Sequence, residues 1–289
     1  MKHYINLFIL ALIFIFPLKD VYATHAAGMD ISFECVARNS TSDFYKITVS
    51  FYRDCNNSPA PGSLDIEYSS SCGSGFESLL LTAGPTYITP TCTQSGSPCS
   101  GTSSLVEIEE YKYEKLITLD HCSDWVFSVC LANRNNVITT IVQPGNEQLC
   151  VQAELNNLNF CNNSPTYTEY PAPYICVNEP FCYNNGAFDP DGDSLVYSLI
   201  TPLAYDFATG TIDDVQYLPG YSVTNPITGT TTFDPSSGNL CMTATAQDIG
   251  IVAMKISEYR NGVFVGSVIR DIQIIILPCT TVPPVLSGF

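Results

Sequence analysis

Tyr45-Lys46-Ile47-Thr48-Val49-Ser50-Phe51-Tyr52 alternates apolar and polar side chains with a period of two. That period places one set on each face of an extended strand, where β-branched and aromatic residues pack best. The same pattern recurs outward from this stretch. Leu64-Asp65-Ile66-Glu67-Tyr68 and Trp125-Val126-Phe127-Ser128-Val129-Cys130-Leu131 repeat it, as do residues 151–155 and 195–199. Near the C-terminus Val263-Phe264-Val265 leads into residues 270–277. Clusters of Asn, Gly, Pro and Ser bound these runs, and helical spacing is nearly missing, so the chain reads as all-β. Two stretches read as loops: residues 82–104, rich in Gly, Pro, Ser and Thr, and residues 156–178, with Asn162-Asn163-Ser164-Pro165, Pro171 and Pro173. About 265 residues beyond the N-terminal segment suit two tandem β-sandwich domains, 24–178 and 179–278, followed by a tail over 279–289.

The N-terminus indicates the compartment. Lys2 and His3 precede an apolar run over residues 5–16, then Pro17, then Val21-Tyr22-Ala23. This is the layout of a secretory signal peptide over residues 1–23, with a mature start near Thr24. A retained membrane anchor is the competing reading, but the run is short of the roughly 20 residues that span a bilayer. No later segment is long and apolar enough to span. The chain carries 13 cysteines, all after this segment, with no two spaced as C-x-x-C. Such usage disfavours zinc and thioredoxin-type sites and points to disulfides in an oxidising, extracellular setting. Connectivity cannot be read from sequence; Cys92/Cys99, Cys122/Cys130 and Cys176/Cys182 are near enough to close small loops. A formal net charge of −17 excludes nucleic acid and anionic membrane surfaces as partners, since both demand cationic protein surface.

The sharpest motif is Asp189-Pro190-Asp191-Gly192-Asp193-Ser194-Leu195-Val196-Tyr197-Ser198-Leu199. Three aspartates at alternate positions make an oxygen-rich turn, and hard Ca²⁺ takes six to eight such oxygens. An EF-hand does not fit, because Ser194 and Ile200 stand where its Gly and Glu belong, and a strand follows. The plainer reading is a metal-free polar turn, since Asp-Pro and Asp-Gly are ordinary turn dipeptides.

The motif and its setting also resemble a known family. Residues 189–199 look like the start of the cadherin-like, immunoglobulin-type domains of bacterial surface proteins. Asn163-Ser164-Pro165, Cys176-Val177-Asn178-Glu179-Pro180-Phe181 and Asn185-Gly186-Ala187 precede them. Phe233-Asp234-Pro235 with Gly238, Glu258-Tyr259-Arg260-Asn261-Gly262 and Arg270-Asp271-Ile272-Gln273 follow. His25-Ala26-Ala27-Gly28 and Phe51-Tyr52-Arg53-Asp54-Cys55 add the N-terminal half. This ordered set resembles the N-terminal region of Bacteroidetes proteins of the gliding motility-associated C-terminal domain type. The resemblance implies an adhesin-like surface protein exported by type IX secretion, with Ca²⁺ held by Asp189, Asp191 and Asp193. Glu179, just before the second domain, and Asp271, in its last strand, would be additional ligands; a surface ion pair between Asp271 and Arg270 is the preferred alternative for the latter.

Catalysis has little support. His25 and His121 are the histidines beyond the signal segment, and no G-x-S-x-G, H-E-x-x-H or phosphate loop occurs. Glu107, Glu109 and Glu110 read more readily as a solvated edge strand than as the carboxylate pair of a glycosidase. Of 17 tyrosines, Tyr111, Tyr113, Tyr167, Tyr170 and Tyr174 fall near loops, where a ring and a hydroxyl suit carbohydrate or protein; lining a sheet face is the commoner use. The reading is a non-enzymatic adhesion or assembly module meeting extracellular protein or polysaccharide. The alternatives are a secreted carbohydrate-binding or polysaccharide-active protein, or a structural spacer of a longer surface protein.

Overall fold

A computed structural model of the chain describes residues 26–55, 59–88, 108–171, 174–184 and 186–279. The expected signal segment, His25, Cys92, Cys99 and Glu107 lie outside them. Among the described residues the only helical turn is 3₁₀, Pro144–Asn146, and no helix is long and apolar enough to cross a membrane. The rest is strand and loop. The strands are β1 (Ala26–Arg38), β2 (Ser42–Asp54), β3 (Ser63–Ser70), β4 (Gly73–Tyr87), β5 (Ile108–Asp120), β6 (Trp125–Leu131) and β7 (Leu149–Leu155). Short strands follow: β8 (Thr166–Tyr167), β9 (Tyr174–Cys176), β10 (Phe181–Asn184) and β11 (Ala187–Phe188). The chain then forms β12 (Ser194–Ile200), β13 (Leu203–Asp206), β14 (Thr211–Asp214), β15 (Gly229–Phe233) and β16 (Asn239–Ala244). It ends in a long hairpin of β17 (Ile249–Arg260) and β18 (Val263–Leu277).

The period-two pattern does what the sequence demands. Met29, Ile31 and Phe33 of β1 and Tyr45, Ile47, Val49 and Phe51 of β2 point into the main core, each no more than 2% exposed. Each such side chain contributes about 1.5–3 kcal/mol by burial. A one-residue slip would exchange them for Asp30, Ser32, Thr48 and Ser50, so the register is strongly specified. The final hairpin turns through Asn261 and Gly262, both at positive φ (52° and 80°), as a two-residue turn between right-twisted strands requires.

Antiparallel pairing runs from β18 through β1, β2, β5, β4, β3, β6 and β7 and returns to β18, closing a ring around the main core. Outside the ring, β17 and β12 extend the sheet from β18, while β13 and β14 extend it from β7. A three-stranded sheet, β10-β16-β15, encloses a second core with Ile272, Ile274 and Ile276 of β18. Being covered on both sides explains why β18 is buried almost continuously, where the sequence showed two shorter runs. Pairing also crosses residue 178, the expected domain boundary. There β18 bonds to β1, β7 and β9, β13 bonds to β7, and β11 bonds to β8. The two halves therefore share backbone hydrogen bonds.

All eleven described cysteines are disulfide-bonded. The bonds are Cys35–Cys161, Cys72–Cys122, Cys130–Cys150, Cys176–Cys279 and Cys182–Cys241, and Cys55 is bonded too. The small loops Cys122/Cys130 and Cys176/Cys182 do not form. Extended backbone carries sequence neighbours apart, while strand pairing sets Cys130 opposite Cys150 and Cys182 opposite Cys241.

Candidate functional site

The aspartate motif forms a tight turn between β11 and β12. Asp189 accepts hydrogen bonds through Oδ1 from the backbone amides of Asp191 (2.8 Å) and Asp193 (3.0 Å). Gly192 takes φ 80°, which a side chain rarely permits. The three aspartates then part company. Asp191 faces outward, accepting from the Asn163 backbone amide and Nδ2 (both 2.9 Å) and from Arg260 Nη2 (2.8 Å). Partial burial opposes its ionisation, but the Asn163 amides and the guanidinium outweigh that and lower its pKa. Asp193 accepts from Arg260 Nε (2.8 Å) and Nη2 (2.6 Å). Arg260 also lies 4.4 Å over the Phe160 ring.

Asp189 turns inward and meets Glu258, a residue sequence reasoning did not single out. Carboxylate oxygens of Asp189, Asp193 and Glu258 lie within 4.8 Å of one another. Glu258 is fully buried, and its Oε1 accepts from Asn162 Nδ2 (2.8 Å). Gly266, opposite Glu258 in the hairpin, leaves room for it: a Cβ there would run into the Glu258 carboxylate and the Glu154 carbonyl oxygen. Asp189 Oδ2 and Glu258 Oε2 are buried without a hydrogen-bond partner among the described residues. Burial, then the neighbouring Asp189 and Asp193, pushes the Glu258 carboxyl up to about 9. One signal was available: at strand spacing Glu258 continues the face of Met254 and Ile256, an acidic residue where the alternation calls for an apolar one.

The other expected ligands lie elsewhere. Glu179 is exposed in the turn after β9. Asp271 is 1% exposed and accepts from Arg134 Nη1 (3.1 Å) and Nη2 (2.6 Å). It pairs with Ala253 of β17, five residues along that strand from Glu258, or about 17 Å. The surface pair expected between Asp271 and Arg270 does not form, because strand neighbours point to opposite faces. Arg270 pairs with Asp30 instead, and both of these ion pairs are buried.

A second constellation lies on the outer face of the ring. One row of paired residues runs Arg270, Asp30, Ser50, Lys112 across β18, β1, β2 and β5, with Tyr52 and Glu110 paired beside it. Such a face is ordinarily solvated. Here residues 166–170 help to line a cavity of about 280 Å³ over it. Asp30 Oδ2 accepts from Tyr52 Oη (2.8 Å) and Arg270 Nε (2.9 Å). Arg270 donates to the Glu169 carbonyl oxygen (2.9 Å), and its guanidinium lies 3.5 Å from the Tyr167 ring centre. Glu110 is 4% exposed, accepts from Ser50 Oγ (3.0 Å) and sits 3.8 Å from Lys112 Nζ; burial raises its pKa. Its neighbour Glu109 points away, to Arg53. Of the loop tyrosines, Tyr167 and Tyr170 line this cavity, whereas Tyr113 is core and Tyr111 donates to Glu109. His121 lies 3.3 Å from Asp43, and Cys122 beside it is bonded to Cys72, so no nucleophile–base pair arises there.

Comparison with known proteins finds no matching family and no matching curated sequence.

Proposed function

We propose that this chain is an exported, non-catalytic module of the cell exterior, serving adhesion or assembly and stiffened by Ca²⁺. The regions 24–178 and 179–278, read from sequence as tandem sandwiches, would act as one unit through their shared strands. The resemblance to Bacteroidetes surface proteins adds type IX secretion as the route. A fully disulfide-bonded set of described cysteines supports an oxidising destination.

The observation that carries the cation is the pair of partnerless buried oxygens, Asp189 Oδ2 and Glu258 Oε2, with Asp193 beside them. Three aspartates, Asp189, Asp191 and Asp193, lie about one guanidinium, so the cluster carries excess negative charge even with the Glu258 carboxyl protonated. Asp189, Asp193 and Glu258 would hold the ion, in place of the set drawn from the turn alone, Asp189, Asp191 and Asp193. A hard divalent ion would satisfy both oxygens at once, and binding to the folded state alone would stabilise it by mass action. The alternative is a proton shared between Asp189 and Glu258.

Thermal unfolding in EDTA and in millimolar Ca²⁺, for wild type and Glu258→Gln, separates the two. The cation reading expects Ca²⁺ to raise the wild-type midpoint and leave the variant unmoved. If neither responds and Glu258→Gln is at least as stable as wild type, the pair shares a proton and the cation reading is lost. Surface labelling of intact cells tests the exterior location, which a protected protein would refute.

A further inference from the structure

We infer that the cavity over β1, β2, β5 and β18 binds a single ring of a neutral sugar. The inference deepens the extracellular reading, because it names a ligand class for an exported module, yet it concerns a different site from the carboxylate cluster.

Four of the five charged residues of the lining pair with one another, and the fifth, Glu169, is exposed. Arg270 is committed to Asp30, with Nη2–Oδ2 and Nε–Oδ2 both 2.9 Å, and Lys112 stands 3.8 Å from Glu110. A charged ligand would have to break one of these pairs, three of whose members are nearly fully buried. What the cavity offers instead is short hydroxyls: Ser32, Thr48 and Ser50 from the sheet, Thr166 and Thr168 from the segment above. Four of these already donate within the protein, Thr48 to Glu114, Ser50 to Glu110, Thr166 to the Phe188 carbonyl oxygen and Thr168 to that of Gly186, which leaves their oxygens to accept from a ligand's hydroxyls. Tyr170, half exposed at this lining, adds an apolar ring face with a hydroxyl at its edge.

Size narrows the ligand further. About 280 Å³ lies just below the range for ligand cavities, roughly 300–1,000 Å³, and accommodates one ring better than an oligosaccharide. Discrimination follows from the same chemistry. A buried polar lining left unpaired by a missing hydroxyl rejects the deoxy analogue far more strongly than an apolar pocket rejects a lost methylene.

The test is calorimetric titration and saturation-transfer NMR on the full chain, in EDTA so that the cation site plays no part. Methyl glucoside, methyl galactoside and N-acetylglucosamine are the neutral probes, and glucuronate the charged one. The inference expects saturable binding of at least one neutral probe, with glucuronate weaker. Tyr170→Ala and Glu110→Gln are each expected to weaken that binding at least tenfold, while Phe207→Ala, an exposed ring outside the lining, leaves it unchanged. Circular dichroism confirms that each variant is folded. Absence of saturable binding by every neutral probe overturns the inference. So does equal binding by wild type and Tyr170→Ala, or a preference for glucuronate. Loss of the Ca²⁺ response alone would refute the cation reading and leave this one standing.

Discussion

Replacing Asp271 by Ala should be among the most damaging single changes in this protein. Its carboxylate takes both Nη atoms of Arg134, at 3.1 and 2.6 Å, and the two residues are 1% and 3% exposed. Removal would leave the guanidinium buried with the Leu203 carbonyl oxygen as its remaining side-chain hydrogen bond, and Nε already lacks a partner among the described residues. Breaking one side of a buried pair costs about 3–5 kcal/mol, because the other charge stays desolvated. For a chain of this size that corresponds to a midpoint lower by about 6–20 °C. Urea unfolding with disulfides intact would give the free energy, with Asp271→Asn as an intermediate case that keeps one acceptor. The double variant Arg134→Met/Asp271→Leu removes both charges and should recover to within about 1–2 kcal/mol of wild type, the signature of an uncompensated charge. A loss under about 1 kcal/mol for Asp271→Ala would refute the reasoning. So would a double variant worse than either single. In none of these variants should the response to Ca²⁺ change, since Asp271 lies far from Glu258.

Other outcomes follow from the same structure. Disulfide loss should scale with the loop closed: removing Cys35–Cys161, 126 residues apart, should cost about 5 kcal/mol, against about 3 kcal/mol for Cys130–Cys150, 20 residues apart. Equal losses in urea unfolding would show that native strain or residual unfolded structure dominates. In EDTA, Glu258 should make stability fall with pH. Its folded-state value of about 9 lies above the ordinary 4.5, so its contribution is complete below about 4.5 and is lost as pH rises toward 9. Glu110, also raised, acts in the same sense, so the slope that Glu258→Gln removes from the wild-type profile measures Glu258 alone. A pH profile identical in wild type and variant would count against the buried Asp189–Glu258 contact.

Residue-level pattern determined much here by local physics. The alternation in residues 45–52 specified a strand and its two faces, because side-chain direction in a strand depends only on the residue's own position. The turn at Asp189 was legible for the same reason: short side chains and glycine decide backbone geometry within a few residues. The large cysteine load likewise announced disulfides without naming their partners.

Pairing between distant segments was decided only in three dimensions. No local signal shows that β1 and β7 both close onto β18, so a ring spanning residue 178 was not visible in a chain that read as two successive sandwiches. The same closure chose the disulfide partners and set Asp30 against Arg270 and Asp271 against Arg134, where sequence adjacency had put Arg270 beside Asp271. It brought Glu258, some 65 residues downstream of the aspartate turn, against Asp189, while Arg260 drew Asp191 outward. It also made a cavity from side chains that the sequence presents as a solvated sheet face. Charges and hydroxyls on a strand carry no record of whether water or another segment will cover them. That is settled by which strands meet, and strand meetings depend on the whole chain.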